Sequence, residues 1–285
     1  MAYAWRIGYA WRRVNAMVGN EDDSDIPHSL QVLWGRAPKR TRGPQQLLLS
    51  RERIVAAAIQ IADAEGLQAL SMARLAERLG CAPMSLYRHV ANKDELQVFM
   101  MDLAPGKPPK MDVAPRDWRG ELERWARELR AVYQRHPWIL QVTTGRPPLE
   151  PGQLAWLDAG LRTLSGTKLD PGDKLSTVLL LLYYVRGEAQ ITTSILQAVT
   201  EKAGPDNPKM QAAWYGRTLA KLIDPKRFPA LAELVAAGTF GYTDDDATDF
   251  GFGLARILDG VERLIQTSLP RAHRRRRRRS PRAGR

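Results

Sequence analysis

The chain has a single cysteine, Cys81, among its 285 residues. One thiol excludes a disulfide framework and any metal site built on several cysteines. It suits a reducing compartment, and in a tight turn it reads as a small packed residue rather than a redox sensor. Long hydrophobic runs are missing too. The longest, Val178 to Val185, is eight residues, whereas a membrane span needs roughly 20. No apolar stretch follows Arg6, Arg12 and Arg13, so no secretory signal is visible. A cytoplasmic protein is the expectation, with Met1 and Met17 both candidate initiators. Period-two alternation is absent, which argues against strands. No internal repeat, phosphate loop or metal-ligand spacing appears, so no cofactor or metal is expected.

Acidic residues are absent from one stretch. Residues 271–285 hold nine arginines and no carboxylate, and residues 36–49 carry +4. The formal net charge of +12 therefore sits in two short arms. Residues 50–103 carry −1 and residues 104–270 carry +1, a nearly neutral body. Hydrophobic residues at 44% suffice for a sizeable core and exclude global disorder. The Arg-rich tail reads as disordered, yet it would add salt-dependent, sequence-independent affinity for DNA. Residues 1–49 read as an extended N-terminal segment ending in a basic arm. Arg40 and Arg42 there are either a solvated linker or side chains placed to enter a minor groove.

What remains is helical. Ser50 is a good N-cap for a first helix with stripes Ile54, Ala58, Ile61 and Val55, Ile59, Ala62, closed by Gly66. Ser71 caps a short second helix bearing Leu75, Ala76 and Leu79, ended by Gly80. Pro83 suits the first turn of a third. Asn92 and Glu95 form a capping-box pattern ahead of a fourth, with Leu96, Phe99, Met100 and Leu103 as its core positions. Pro105 to Pro109 reads as a linker. Further helices follow. Trp118, Leu122, Trp125, Leu129, Val132 and Tyr133 mark one that ends at Pro137. Leu154, Leu157, Leu161 and Leu164 mark another. A long helix runs from Asp170-Pro171 towards Thr200, with Gly187 a possible kink. One more lies near Met210–Leu222, and a last one carries Phe250, Leu254, Ile257, Leu258, Val261, Leu264 and Ile265.

The segment from Leu70 to Leu96 has the spacing of a helix-turn-helix. At 100° per residue, Leu86 and Val90 share the face that must be buried. Met84 and Arg88 lie nearly opposite, flanked by Ser85 and Tyr87. Such an outward face can enter a major groove roughly 12 Å wide. Arg88 offers a fork suited to guanine, Ser85 donates or accepts, and Met84 and Tyr87 can press on a thymine methyl or a sugar.

These residues resemble the tetracycline-repressor (TetR) family of bacterial regulators. The similarity is strong over residues 50–103, through Arg53-Ile-Val-Ala-Ala-Ala, Leu75-Ala-Glu-Arg-Leu-Gly, Leu86-Tyr-Arg-His-Val and Asn92-Lys-Asp-Glu-Leu. It is weaker over 116–200, through Asp117-Trp118, His136-Pro137-Trp138, Arg146-Pro147-Pro148-Leu149 and Val185-Arg186-Gly187. The resemblance implies an all-α homodimer. Each chain would carry a three-helix DNA-binding domain at 50–103, a larger helical ligand-binding and dimerisation domain at 110–270, and a tail at 271–285. It implies a repressor that binds a palindromic operator and leaves it when a small effector binds. By position, Ser85, Tyr87 and His89 match operator-contacting residues, and Lys93 matches a lysine that holds a phosphate. Arg88 stands where the family varies. Ala73 replaces a base-reading arginine, leaving Arg74 beside it to reach a phosphate. Ser71, Pro83 and Met84 complete the DNA-contacting set.

For the effector, the expected wall lies between the helix holding Trp125, Leu129 and Tyr133 and the long helix holding Tyr183, Tyr184 and Arg186, which suits a mainly hydrophobic small molecule. For each of these residues singly, core packing is the commoner role. The dimer is expected on the long and last helices, with Leu258 and Val261 at the interface. Two rivals stay open. One is an architectural DNA binder using the Arg tail. The other is an all-helical enzyme, for which His136 near Asp117 or Glu128 is the nearest acid/base pair.

Overall fold

The computed structural model describes residues 26–36, 49–111, 117–142, 147–203, 208–240 and 246–268. Among them are eleven α-helices, two 3-10 turns and no strand. In chain order the helices are α1 His28–Leu33, α2 Arg51–Glu65, α3 Met72–Leu79, α4 Pro83–Leu86, α5 Lys93–Leu103, α6 Trp118–Arg135, α7 Pro151–Thr163, α8 Pro171–Ala203, α9 Pro208–Leu222, α10 Pro229–Ala236 and α11 Asp246–Thr267.

Each early helix starts where its cap dictates. The Ser50 hydroxyl accepts the Arg53 N–H at 3.3 Å, Ser71 accepts from Arg74 at 3.2 Å, and Asn92 accepts from Glu95 at 2.8 Å. Both expected stripes of α2 are buried. At the end of α3, Gly80 turns left-handed (φ 66°). The Cys81 N–H then reaches the Ala76 carbonyl and the Gly80 N–H the Glu77 carbonyl, both at 3.0 Å. This pair of bonds satisfies carbonyls that a helix end otherwise leaves open. In α5, Leu96, Phe99 and Met100 are buried as expected, but Leu103 is exposed and Met101 takes its place in the core. The reason is that α5 packs against three helices, α1, α2 and α7, rather than against one face.

α6 buries Leu122, Trp125, Ala126, Leu129, Val132 and Tyr133, the i, i+3, i+4 stripe that its sequence announces. The chain stops at His136 and tightens into a 3-10 turn, Pro137–Gln141. α7 differs from expectation. Leu154, Leu157 and Leu161 are only half-buried, while Trp156, Ala159, Gly160 and Thr163 face inward. Gly160 explains the choice. A Cβ there would meet Val178 at 2.9 Å and the Trp125 ring at 3.0 Å. Close approach to a large indole outweighs the leucine count. The 104–111 connection is tied down, with Trp156 donating to the Gly106 carbonyl at 3.1 Å and Arg124 to that of Lys110 at 2.7 Å.

Two helices carry no clear signature in the sequence. α10 has no residue buried in the chain. α1 lies inside the segment read as extended: Leu30 is 3% exposed and packs with Ser29 into the fold. Arg40, Arg42, Arg146, residues 1–25 and the tail 271–285 lie outside the described residues.

By compactness the described chain forms two units. One unit joins the described residues up to Arg186 with those from Leu258 onward; the other is Gly187–Ile257. In the first, Arg119 at the start of α6 pairs with Asp259 at 2.7 Å and Glu262 at 3.5 Å on α11. In the second, Tyr215 meets Phe240 edge-on at 5.9 Å. α8 is unbroken through Gly187.

Candidate nucleic-acid interface

The helix-turn-helix presents one face outward. Leu86 is fully buried and Val90 is 1% exposed, so α4 is held by the side that the periodicity assigned to the core. Burying a leucine of this kind is worth about 1.5–3 kcal/mol. Past Leu86 the backbone tightens. His89 N–H and Val90 N–H both return to the Leu86 carbonyl, at 2.8 and 3.0 Å. This keeps Tyr87 and Arg88 on the outward arc. Met84 is 73% and Tyr87 43% exposed. Pro83 and Arg88 are exposed as well, and Ser85 and His89 are half-buried. Large apolar groups left in water on a four-residue helix are unneeded for folding, which is what a surface made to press on another molecule looks like.

The supporting contacts are specific. Arg51 donates to the His89 carbonyl at 3.3 Å while its guanidinium lies 5.2 Å over the Phe99 ring. It therefore fixes the exit of the recognition segment to α2 and α5. Sequence reasoning passes over Arg51, because a lone arginine at a helix start looks like solvated charge. Asn92 caps α5, and the Glu95 carboxylate accepts the Ala91 N–H at 2.6 Å, one residue earlier than a capping box predicts. Lys93 is thereby the half-buried first residue of α5. Two of the expected DNA-facing residues have local tasks. The Ser71 hydroxyl caps α3, and the Arg74 guanidinium pairs with Glu65.

The residues expected around an effector separate into two groups. Trp125 is 1% exposed and its indole donates to the Trp156 carbonyl at 2.9 Å, so it fills the core with its polar atom satisfied. Leu129 is buried, and Tyr184 is half-buried. Tyr133 is buried and hydrogen-bonded with Arg186. Burial pushes its phenol pKa up, partly opposed by the Arg186 charge and hydrogen bond. Arg186 also donates to the Leu140 and Val142 carbonyls, at 3.2 and 3.4 Å. Tyr183 corrects the expectation. It is 57% exposed, so it faces away from this corner. Adjacent residues on a helix point 100° apart, and here Tyr184 is half-buried while Tyr183 is exposed. Leu258 and Val261 are likewise buried within the chain at 1% and 4% exposure, not displayed for a partner.

His136 pairs with neither Asp117 nor Glu128. Its Nδ1 donates to Asp63 of α2 at 2.7 Å, and Trp138 Nε1 donates to the same oxygen at 2.7 Å. With its acid occupied by two donors, the group ties α2 to the 137–141 turn. Among the described residues no cluster of three or more His, Cys, Asp or Glu is placed to hold a metal ion, and no helix is long and apolar enough to cross a membrane.

Comparison with known proteins bears on both halves. Residues 54–97 match the bacterial regulatory proteins, tetR family, and residues 113–265 match the tetracyclin repressor-like C-terminal domain. The chain is 39% identical over 243 residues to the HTH-type transcriptional repressor DrrR1 of Streptomyces coeruleorubidus, covering 85% of this chain and 87% of that one. Among solved structures it is similar to the TetR family protein ActR of Streptomyces coelicolor. The complex of ActR with (S)-DNPA gives a TM-score of 0.60 at 29% identity, covering 76% of this chain and 98% of that one. The complex with actinorhodin gives 0.59 at 29% identity, covering 74% and 96%.

Proposed function

The chain belongs to the TetR family of transcription regulators, and on that premise we propose that it is a ligand-responsive repressor that binds a palindromic operator as a homodimer. The observation that carries this reading is the outward face of Pro83–His89, held on a capped helix-turn-helix by buried Leu86 and Val90. Residues 50–103 are the reading head and residues 110–270 the effector and dimer body. Arg88 reads a base, with Met84, Ser85 and Tyr87 beside it. His89 and Lys93 hold the backbone, with Pro83, Ser71 and Arg74 at the edge of the DNA footprint. Arg40 and Arg42 and the tail 271–285 add sequence-independent affinity.

The effector site is the corner built by Tyr133, Arg186, Leu129 and Tyr184, over Trp125. It suits a mostly apolar small molecule with one acceptor for Arg186 or Tyr133. ActR, a relative of similar fold, is solved in complex with (S)-DNPA and with actinorhodin. The dimer face is a stripe on α8. Leu180 and Tyr183 are 50% and 57% exposed and fall within one arc of the helix. Pairing this stripe with its copy buries apolar surface that a lone chain leaves in water. Two heads must then sit about 34 Å apart to enter successive major grooves. An effector that prefers a body conformation with the heads misplaced weakens operator binding by its differential affinity, typically ~1–3 kcal/mol.

The test is a footprint followed by a compound screen. A protected inverted repeat, released by one compound for wild type but only at higher concentration for Tyr133→Phe or Arg186→Met, supports the reading. Uniform coating of DNA, or turnover of the bound compound, contradicts it.

A further inference from the structure

Both family matches leave out residues 26–36, yet this segment is folded and touches the head and the body. α1 is a turn and a half long, and its end is closed by specific bonds. Gly35 is left-handed (φ 66°), the Arg36 N–H returns to the Gln31 carbonyl at 2.7 Å, and the Gly35 N–H returns to that of Val32 at 3.1 Å. Gln31 donates back to the Ile26 carbonyl at 2.8 Å, bracing the entry. A helix this short does not persist alone in water, so its contacts hold it. Leu30 is 3% exposed, and α1 packs on α5. At one end His28 Nδ1 donates to Glu95 Oε1 at 2.8 Å; at the other Trp34 Nε1 donates to the Leu149 carbonyl at 2.9 Å, just before α7.

The two anchors lie on different parts of the working molecule. Glu95 is 9% exposed, and its second oxygen accepts the N–H of Ala91, the residue that follows the recognition segment. His28 therefore reaches the exit of that segment through one carboxylate. Leu149 directly precedes Glu150, the N-cap residue of α7, and its N–H is held by the carboxylate of Glu150, which is 1% exposed. α7 also receives the far end of α5, where Asp102 accepts the Gly152 N–H at 2.6 Å. α5 is thus gripped at its start through His28 and at its end through Asp102.

We propose that residues 26–36 are a strap that sets the tilt of the reading head on the body, with His28, Leu30 and Trp34 as positioning residues for operator recognition. The proposal rests on the reading of this chain as a dimeric operator binder. In such a dimer the tilt of each head sets the separation of the two recognition segments. The strap therefore governs which half-site spacing is accepted, and leaves the bases read within each half-site alone.

The experiment compares full-length wild type with Leu30→Asp, which ejects the strap from its seat, and with the milder Trp34→Phe, which keeps an aromatic ring and removes the donor. Each is titrated against the selected operator and against operators with one base pair added or removed between half-sites. The expected result is that wild type rejects altered spacing, that Leu30→Asp lowers that discrimination by about tenfold and Trp34→Phe by less, and that the half-site consensus does not change. Amide exchange at residues 91–97 should speed up in both variants without DNA, a readout independent of the operator. If wild type binds its operator while the folded variants keep both its spacing discrimination and its slow exchange, the strap proposal is overturned. If wild type selects no operator at all, the functional reading fails instead, and faster exchange still reports the mechanical link. Should Leu30→Asp not fold, Trp34→Phe decides by the same two measurements.

Discussion

The recognition segment and the Tyr133–Arg186 corner both carry aromatic and basic side chains, and the fold treats them oppositely. On α4 the backbone is closed by its own hydrogen bonds and one buried leucine, which leaves Met84, Tyr87 and Arg88 exposed. In the body, Tyr133 is buried and Arg186 serves two carbonyls of the neighbouring turn. The difference decides what each surface can do. An exposed apolar side chain such as Met84 can change at little loss of stability. Side chains that already satisfy buried groups can bind a ligand only by exchanging partners. On the proposed effector reading, that exchange would free the Leu140 and Val142 carbonyls and so couple binding to the position of the 137–142 turn.

The sharpest test of this contrast is a pair of truncations. Trp125→Ala removes a fully buried indole and its hydrogen bond to the Trp156 carbonyl, so a loss of about 3–5 kcal/mol is expected from denaturant unfolding. Met84→Ala on the head should change stability by less than about 0.5 kcal/mol. Equal losses would erase the distinction. Charged replacements of Leu258 or Val261 belong with Trp125, because both are buried in the chain. Leu180→Glu with Tyr183→Glu should instead give a folded monomer by sedimentation.

Next in size is base reading. Arg88→Ala should alter the preferred base at one operator position by roughly 1–3 kcal/mol, whereas Lys93→Ala should weaken all sequences alike. Binding profiles over single-base operator variants separate the two. Deleting residues 271–285 should lower the salt slope by roughly 0.9 for each phosphate that the tail neutralises in wild type, with the consensus intact. An unchanged slope would remove the tail from the DNA.

The smallest expected effects are ionic. Asp102 has its pKa raised, first by burial and also by Glu150, with the Gly152 N–H opposing. Its folded state favours the protonated form, so this group's contribution falls as pH rises above its ordinary 3.8. Asp102→Asn keeps an oxygen for Gly152 and should unfold at a slightly higher temperature than wild type at pH 7, with the gap closing below pH 3.8. Tyr133 also has a raised pKa, so its contribution holds at neutral pH and is lost as pH climbs past 10 and through its folded value. Tyr133→Phe should blunt that alkaline loss.

Most of the head is legible in the sequence because its signals are local. Ser50, Ser71 and Asn92 cap helices that begin next to them, Gly80 closes α3, and the 100° rule buries Leu86 and Val90. The body is legible as helices but less so as faces. Nothing local says that Gly160 will seat α7 on Trp125, that Tyr183 rather than Tyr184 will turn out, or that His136 will find Asp63 seventy-three residues away. α1 escapes a sequence reading for the same reason: six residues without a side-chain cap carry no helical signature until Leu30 finds its place on α5.

The central claim is that the outward face of Pro83–His89 reads an operator as one half of a symmetric pair. Selection of bound duplexes from random DNA by the full-length protein, beside Arg88→Ala, tests it most directly. The account predicts an enriched inverted repeat for wild type, with half-sites one helical turn apart and one base identity shifted in both half-sites for the variant. No enrichment, or the same repeat with the same bases for both proteins, would contradict it.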